Sequence, residues 1–342
     1  MNKRIFLGIT ILLSLGICLS SCNKDDDDDD SLSMTGSLVT SFPEYVEPGS
    51  VHEMIISGIT DPENLEYKTY SVYDVYTDTI TGTDTHRFIN IPDTACNFSL
   101  TTIASADGYY DSYSTNYIKI ISEESSLTNL TYPQTTFTDA RDNNVYHYTK
   151  IGNLDWFVEN LRYADKGFPY YKLDALGKLL GQLYSWNEAT DGQTSNGLGE
   201  GPQGVCPEGW SVPTNEDWED FAKAVNDGEA LDYNNEWLGI GSLVSTQAQL
   251  NNEDFWEYSI ENKLENKFSW NALPTGYADM NNVDIDDAFM GIGEYGAWWS
   301  SSQASSEKGS YRYIYYKKSY FAANNAEKDK YLVSVRCVRK AE

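Results

Sequence analysis

Histidine is the first scarcity. The chain of 342 residues holds three, His52, His86 and His147, and none follows position 147. A cysteine or serine nucleophile is ordinarily activated by an adjacent base, most often histidine. No Cys/His or Ser/His/Asp constellation is evident, no catalytic residue is singled out, and the chain reads as a protein that is not an enzyme. A structural zinc site takes four ligands, typically cysteine or histidine. Of the five cysteines only Cys206 and Cys337 lie in the C-terminal half, and with His147 they are too few. Positive charge is also short: 24 Lys and Arg against 52 Asp and Glu leave a net charge of −28. Such a chain is repelled by phosphate backbones, which excludes nucleic acid as a partner. Beyond Leu19 there is no apolar run long enough for a membrane-spanning helix.

What is present begins with Lys3 and Arg4, followed by an apolar run from Ile5 to Leu19. A basic start, a short apolar stretch and small residues before a cut make a secretory signal. The segment "LSSC" resembles a bacterial lipobox, which implies cleavage before Cys22 and acylation of that cysteine. Residues 1–21 are then the lipoprotein signal peptide, and several acyl chains anchor the mature end firmly in lipid. The following "NKDDDDDD" reads as a solvated tether, residues 22–35, because like charges keep a chain extended. Cys22-Asn23-Lys24-Asp25-Asp26 also resembles the export signal of surface lipoproteins in Bacteroides-like Gram-negative bacteria. That resemblance implies an outer-membrane, lipid-anchored protein facing the cell exterior, with outer-membrane lipid as a partner through Cys22.

Residues 36–122 alternate apolar and polar positions in short runs separated by turns. Met54 and Ile56 follow a turn at Pro48-Gly49; Tyr67, Thr69 and Ser71 alternate next; Phe98, Leu100, Thr102 and Ala104 precede a turn at Asp107-Gly108. Short strands at regular spacing predict a β-sandwich, and "IPDTACNFSLTTIASADGYYDSYSTNYIKII" resembles Ig-like or PKD-like modules. Cys96 has no partner in this stretch and reads as an inert thiol. Residues 123–136, "EESSLTNLTYPQTT", are polar and turn-forming and read as a linker.

From 137 to 342 the chain reads as one unit. "VYHYTKIGNLDWFVENLRY" predicts a hairpin turning at Gly152. "SVPTNEDWEDFAKAVND" predicts a helix: Thr214 can cap it, Glu216 and Asp217 complement its dipole, and Trp218, Phe221, Ala222 and Val225 form one apolar face. Three strands follow, in "GAWWSSSQ", "SYRYIYYKKS" and "YLVSVRCVRK". The blocks "IGNLDWFVENL", "GQLYSWNEA", "CPEGWSVPTNEDWEDF", "FSWNALPTGY", "GEYGAWWSSS", "YRYIYY" and "VSVRCV" together resemble the Fibrobacter succinogenes major paralogous domain. The resemblance implies a C-type-lectin-like α+β fold, and so the whole reads as an all-β Ig-like sandwich followed by an α+β C-type-lectin-like domain. It implies no activity. "SVPTNEDWEDFA" is also similar to a helix start in formylglycine-generating enzymes, but the cysteine pair those enzymes work through is absent.

In an exported protein two cysteines most often pair, so Cys206 and Cys337 are expected to form a disulfide. Tyr331, Val333, Val335 and Cys337 would share one buried strand face. Closing so long a loop is worth up to about 5 kcal/mol in chain entropy.

The ligand candidates are aromatic and acidic. The 26 tyrosines and nine tryptophans could pack a core or stack on sugar rings. In "SYRYIYYKK" Tyr311, Tyr313 and Tyr315 share one face; in "GAWW" Trp298 and Trp299 point to opposite faces. "GYADMNNVDIDDAF" concentrates carboxylates, and Asp279, Asp284, Asp286 and Asp287 could contact hydroxyls or hold calcium, although the spacing fits no EF-hand. The loop carries no regular apolar pattern, which leaves it available for recognition. Tyr295 and Trp298 beside it could supply a stacking plane. The expected function is a non-enzymatic, cell-surface binding lipoprotein for glycans; a protein-binding adhesin or structural surface component is the alternative, and a hydrolase with unidentified carboxylates the third.

Overall fold

The computed structural model describes residues 31–341 except 74–75, 228–231, 234–235, 258–263, 282–287 and 317. The signal segment, Cys22 and the aspartate run lie outside the described residues. The described chain is mostly β, arranged in several sheets.

The alternation in the first part does form strands. Thr35–Ser41, Val51–Asp61 and His86–Asn90 make one antiparallel sheet. Tyr45–Val46, Ser112–Ile120, Asn97–Ser105, Glu66–Tyr73 and Tyr76–Gly82 make a second, in that order across the sheet. Every second residue of Asn97–Ser105 is buried, as a strand with one face on a core requires. Met54, Ile56, Ile89, Phe98, Leu100, Ala104 and Ile118, drawn from both sheets, share one apolar core. At the register shift between Thr35–Ser41 and Val51–Asp61 the backbones approach so closely that a Cβ on Gly36 would lie 2.1 Å from the Gly58 carbonyl oxygen. Cys96 is half-buried against this core and is not part of the disulfide.

The stretch expected to be a linker is not slack. Leu127 and Leu130 pack on the core of the C-terminal body, Thr128 pairs with Gln249, and the Asn271 side chain donates to the Thr131 carbonyl at 2.7 Å. Tyr45 and Ile121 from the first part enter that same core. Asn251 donates to Asn97 at 3.1 Å and to the Ile120 carbonyl at 3.2 Å. Polarity in 123–136 therefore reflects side chains that tie loops together.

In the C-terminal body the hairpin Val145–Ile151/Leu154–Phe157 turns at Gly152, whose φ is +64°. Asp220 accepts from the Asn153 backbone and side-chain amides at 2.7 Å each, fixing the turn to the helix Asn215–Val225. That helix starts as its sequence predicts. Thr214 accepts from the Asp217 amide at 3.1 Å, and Asp217 accepts in return from the Thr214 amide at 2.7 Å. Asp217 is wholly buried and also accepts from Gly199; burial raises its pKa even so. Trp218, Phe221, Ala222 and Val225 face a core with Trp156, Trp237, Trp256, Trp270, Trp298 and Phe321.

Arg336 penetrates that core and is fully buried. It donates to Asn160 Oδ1 and the Asn271 carbonyl at 2.8 Å each and to the Trp270 carbonyl. Its guanidinium lies 4.2 Å from the Trp270 ring and 5.7 Å from Trp298. Amide and carbonyl oxygens and ring faces hold the charge directly, and the Glu159 carboxylate favours it electrostatically. Burial brings its pKa down to about 9, so it remains a cation at neutral pH.

The last stretch is not one strand. Tyr331–Val333 lies between Tyr184–Ser185 and Thr275–Asp279, whereas Val338–Lys340 pairs with Leu154–Phe157. Leu332 to Val338 are all buried, so both faces are covered and the expected single buried face is corrected. Within it Cys337 is bonded to Cys206 across 131 residues, with Cα atoms 5.9 Å apart and both residues inaccessible.

Candidate functional site

A five-stranded sheet contains Tyr295–Gln303, Lys308–Tyr315 and Phe321–Glu327 as consecutive neighbours. In its register Tyr295 lies opposite Tyr315, Ala297 opposite Tyr313 and Trp299 opposite Tyr311. Odd-numbered positions share one face, so Tyr311, Tyr313 and Tyr315 form a row. Tyr277 and Tyr331, from the adjoining sheet, complete a cluster. Tyr277, Tyr295, Ala297, Tyr311, Tyr313, Asn324 and Tyr331 line a cleft of about 220 Å³.

The rings are ordered by mutual packing. Tyr277 stacks on Tyr331 at 5.1 Å, Tyr295 stacks on Tyr315 at 4.5 Å, and Tyr277 meets Tyr295 edge-on at 5.7 Å. Tyr311 touches Tyr331 at 5.3 Å and is hydrogen-bonded to it and to Asn324. The small side chain of Ala297 between these rings leaves the surface concave. The volume is below the ~300 Å³ at which enclosed ligand pockets begin, so the cleft can take one flat group against its rings but cannot engulf a molecule.

The phenols are neutral at physiological pH. Burial, then the neighbouring Tyr315, Tyr277 and Tyr313, pushes Tyr295 up to about 12. Burial also raises Tyr277, Tyr311, Tyr313 and Tyr331. The charges acting on Tyr277 are those of Asp279 and Glu294. An acidic rim around neutral hydroxyls favours uncharged ligands over anions.

Of the residues expected from sequence, Tyr295 lies in the cleft and is half-buried. Trp298 does not, and the expectation of a stacking plane there is corrected. It is completely buried, donating from its indole N–H to Asn160 at 2.8 Å. Trp299 points the opposite way, as expected, yet is also completely buried and donates to the Tyr184 carbonyl at 2.7 Å. The strand carrying them has an apolar core on each side, so alternation does not expose either ring. Asp279 is half-buried, and its carboxylate accepts from the Asn281 amide at 3.0 Å. Asp284, Asp286 and Asp287 lie outside the described residues. Among the described residues no group of three or more His, Cys, Asp or Glu is placed to hold a metal ion.

Sequence reasoning missed Tyr277 and assigned Tyr331 to the core. Neither is marked by its own stretch: each lies beside a fully buried residue, Ala278 or Leu332, and they meet through the pairing of Thr275–Asp279 with Tyr331–Val333. The sequence also holds two Trp-Asn pairs, Trp186-Asn187 and Trp270-Asn271, and both have structural roles. Trp186 and Trp270 are buried, Asn187 donates to Asp329, and Asn271 is bound to Thr131.

The model of the Fibrobacter succinogenes major domain matches residues 149–339, more than half of the chain. The protein belongs to that family. No curated protein and no solved structure matches it.

Proposed function

We propose that this protein is a lipid-anchored surface protein of the outer membrane that binds glycans without transforming them. In this reading the acylated Cys22 and its acidic tether carry an Ig-like spacer, residues 36–122, and the C-type-lectin-like body 137–342 presents the binding surface. The observation that carries the ligand class is the tyrosine cleft. Pyranose rings offer C–H faces that pack on aromatic rings, and equatorial hydroxyls that exchange hydrogen bonds with phenols and an amide. The cleft supplies both kinds of group, and its concavity suits one sugar ring at a time. The acidic rim disfavours anionic sugars. Calcium at Asp279, Asp284, Asp286 and Asp287 would add direct coordination of hydroxyls.

The test is a glycan array probed with the purified mature protein, with Tyr295→Ala as the matched control and EDTA as a second arm. Retention on neutral polysaccharides that is lost in the variant supports the reading. Retention on host proteins in place of glycans favours the adhesin alternative, and turnover of a bound polysaccharide favours the hydrolase. Surface-protease treatment of intact cells checks placement: resistance of the wild-type protein would refute outward exposure.

A further inference from the structure

The five-stranded sheet of the first part has two unlike faces. One packs on the core through Phe98, Leu100, Ala104 and Ile118. The other carries Tyr113 and Tyr117, which are 61% and 75% exposed. An antiparallel sheet face turned to water ordinarily bears polar side chains, so rings left this open stand out. Across three neighbouring strands the register sets Tyr113 in a row with Ile103 and Lys68, and Tyr117 in a row with Val72; Tyr70 stands in the row between. The remaining positions of these rows are serine or threonine.

The charge of this face differs from that of the chain. Asp and Glu number 52 against 24 Lys and Arg, yet the three rows hold Lys68 and no carboxylate. The flanking acids lie at one end, where Tyr113 donates to Asp111 at 3.5 Å and Glu66 pairs with Ser105. A negatively charged surface repels the rest of this protein and can approach here.

The tether joins the molecule at that same end. The Leu32 amide donates to the Gly108 carbonyl at 2.8 Å, and the Leu32 carbonyl accepts from the Tyr110 amide at 2.9 Å. These bonds fasten the start of the described chain to the turn ahead of the strand Ser112–Ile120. Nine residue steps separate Cys22 from Ser31, so even a fully extended tether spans no more than about 30 Å. The strand is about as long, and an acyl chain on Cys22 would keep the whole face within reach of lipid.

The side chains suit that neighbour. Tyrosine collects at membrane–water boundaries because its ring is apolar and its hydroxyl stays wet. Serine and threonine hydroxyls and the Lys68 ammonium can donate to phosphate oxygens. We propose that this face docks on the phospholipid headgroup layer, making the first part of the chain a foot that sets the molecule's tilt on the membrane. The proposal rests on the lipid-anchor reading and on no residue of the tyrosine cleft.

The experiment is nitration of exposed tyrosines, mapped by peptide mass, on the acylated mature protein bound to vesicles of phosphatidylethanolamine and phosphatidylglycerol. The Cys22→Ala chain free in solution is the reference. Tyr113 and Tyr117 should lose most of their nitration on vesicles, whereas Tyr132, 41% exposed, should keep its own. Equal nitration of Tyr113 and Tyr117 in both states overturns docking, as does an equal loss at Tyr132. Protection that appears without vesicles and grows with protein concentration gives the face to a second copy and also overturns it. If the wild-type chain fails to float with vesicles, the anchor reading falls. Nitration with excess added vesicles then decides the matter, protection of Tyr113 and Tyr117 keeping the face and its absence overturning it.

Discussion

Tyr295 and Trp298 are three residues apart on one strand and belong to different worlds. Trp298 is closed in by Trp270, Phe321 and the Arg336 guanidinium. Tyr295 has its ring stacked on Tyr315 and lines a concave surface. Both regions are aromatic clusters, and both are built by strands with their residues in alternation. The difference lies in what covers each: the helix Asn215–Val225 caps the tryptophan side, whereas the short helix Trp186–Thr190 packs on the opposite face in the core with Trp299, and Tyr295 farther along that face stays half-buried. Aromatic content alone therefore says nothing of recognition. A ring becomes available for a ligand where the layer above it stops.

The broadest way to test this contrast is pH, because it acts on many phenols at once and on no tryptophan. Burial raises Tyr45, Tyr170, Tyr184 and Tyr331 along with the cleft tyrosines. Above about pH 10 the unfolded chain releases phenol protons that the folded chain retains, so the unfolded state binds fewer protons and stability falls as pH rises. Below that range this contribution is fully present. Arg336, lowered to about 9, acts in the opposite sense above that pH, but it is one group against several. Stability measured by denaturant from pH 8 to 12 should fall beyond 10, after at most the small rise that Arg336 contributes from about 9; a rise beyond 10 would contradict the burial of the phenols.

Among single substitutions, Trp298→Ala should cost about 3–5 kcal/mol in unfolding free energy, the range for removing a buried indole. A cost near zero would place the ring on the surface after all. Replacing Cys206 and Cys337 together by alanine should cost about 2–5 kcal/mol, read as a lower melting temperature, because the bond closes a long loop. Peptide mapping without reduction should find that one crosslink and no bond to Cys96. Thr214→Ala should cost about 1 kcal/mol, the usual value of an N-cap, and Thr214→Ser should recover most of it.

Much of this architecture was legible beforehand, for reasons that differ by element. The helix was readable because its cap, its acidic first turn and the spacing of Trp218, Phe221, Ala222 and Val225 all point to one answer. The strand Asn97–Ser105 was readable because only one of its faces is covered. The last stretch was misread as one strand because burial on both faces erases alternation between Leu332 and Val338. The strand Phe321–Glu327 was missed because "FAANNAE" lacks the β-branched residues that mark strands. Of the candidate site, Tyr295 was found and Trp298 was misplaced, since a single strand's pattern cannot report how many layers lie over it. Tyr277 and Tyr331 join the cluster through pairing between distant segments, which no local pattern contains. The disulfide was readable because it depends on compartment and number and not on the path of the chain.

The central claim is that the tyrosine row is a surface for sugar rings and the tryptophan cluster is a core. Its most direct test is one substitution with two readouts, Tyr295→Ala measured for both binding and unfolding. The account predicts loss of neutral-glycan binding by on the order of 1 kcal/mol or more, with a change in stability under about 1 kcal/mol. Unchanged glycan binding together with a stability loss like that of Trp298→Ala would contradict it, because Tyr295 would then be one more core residue.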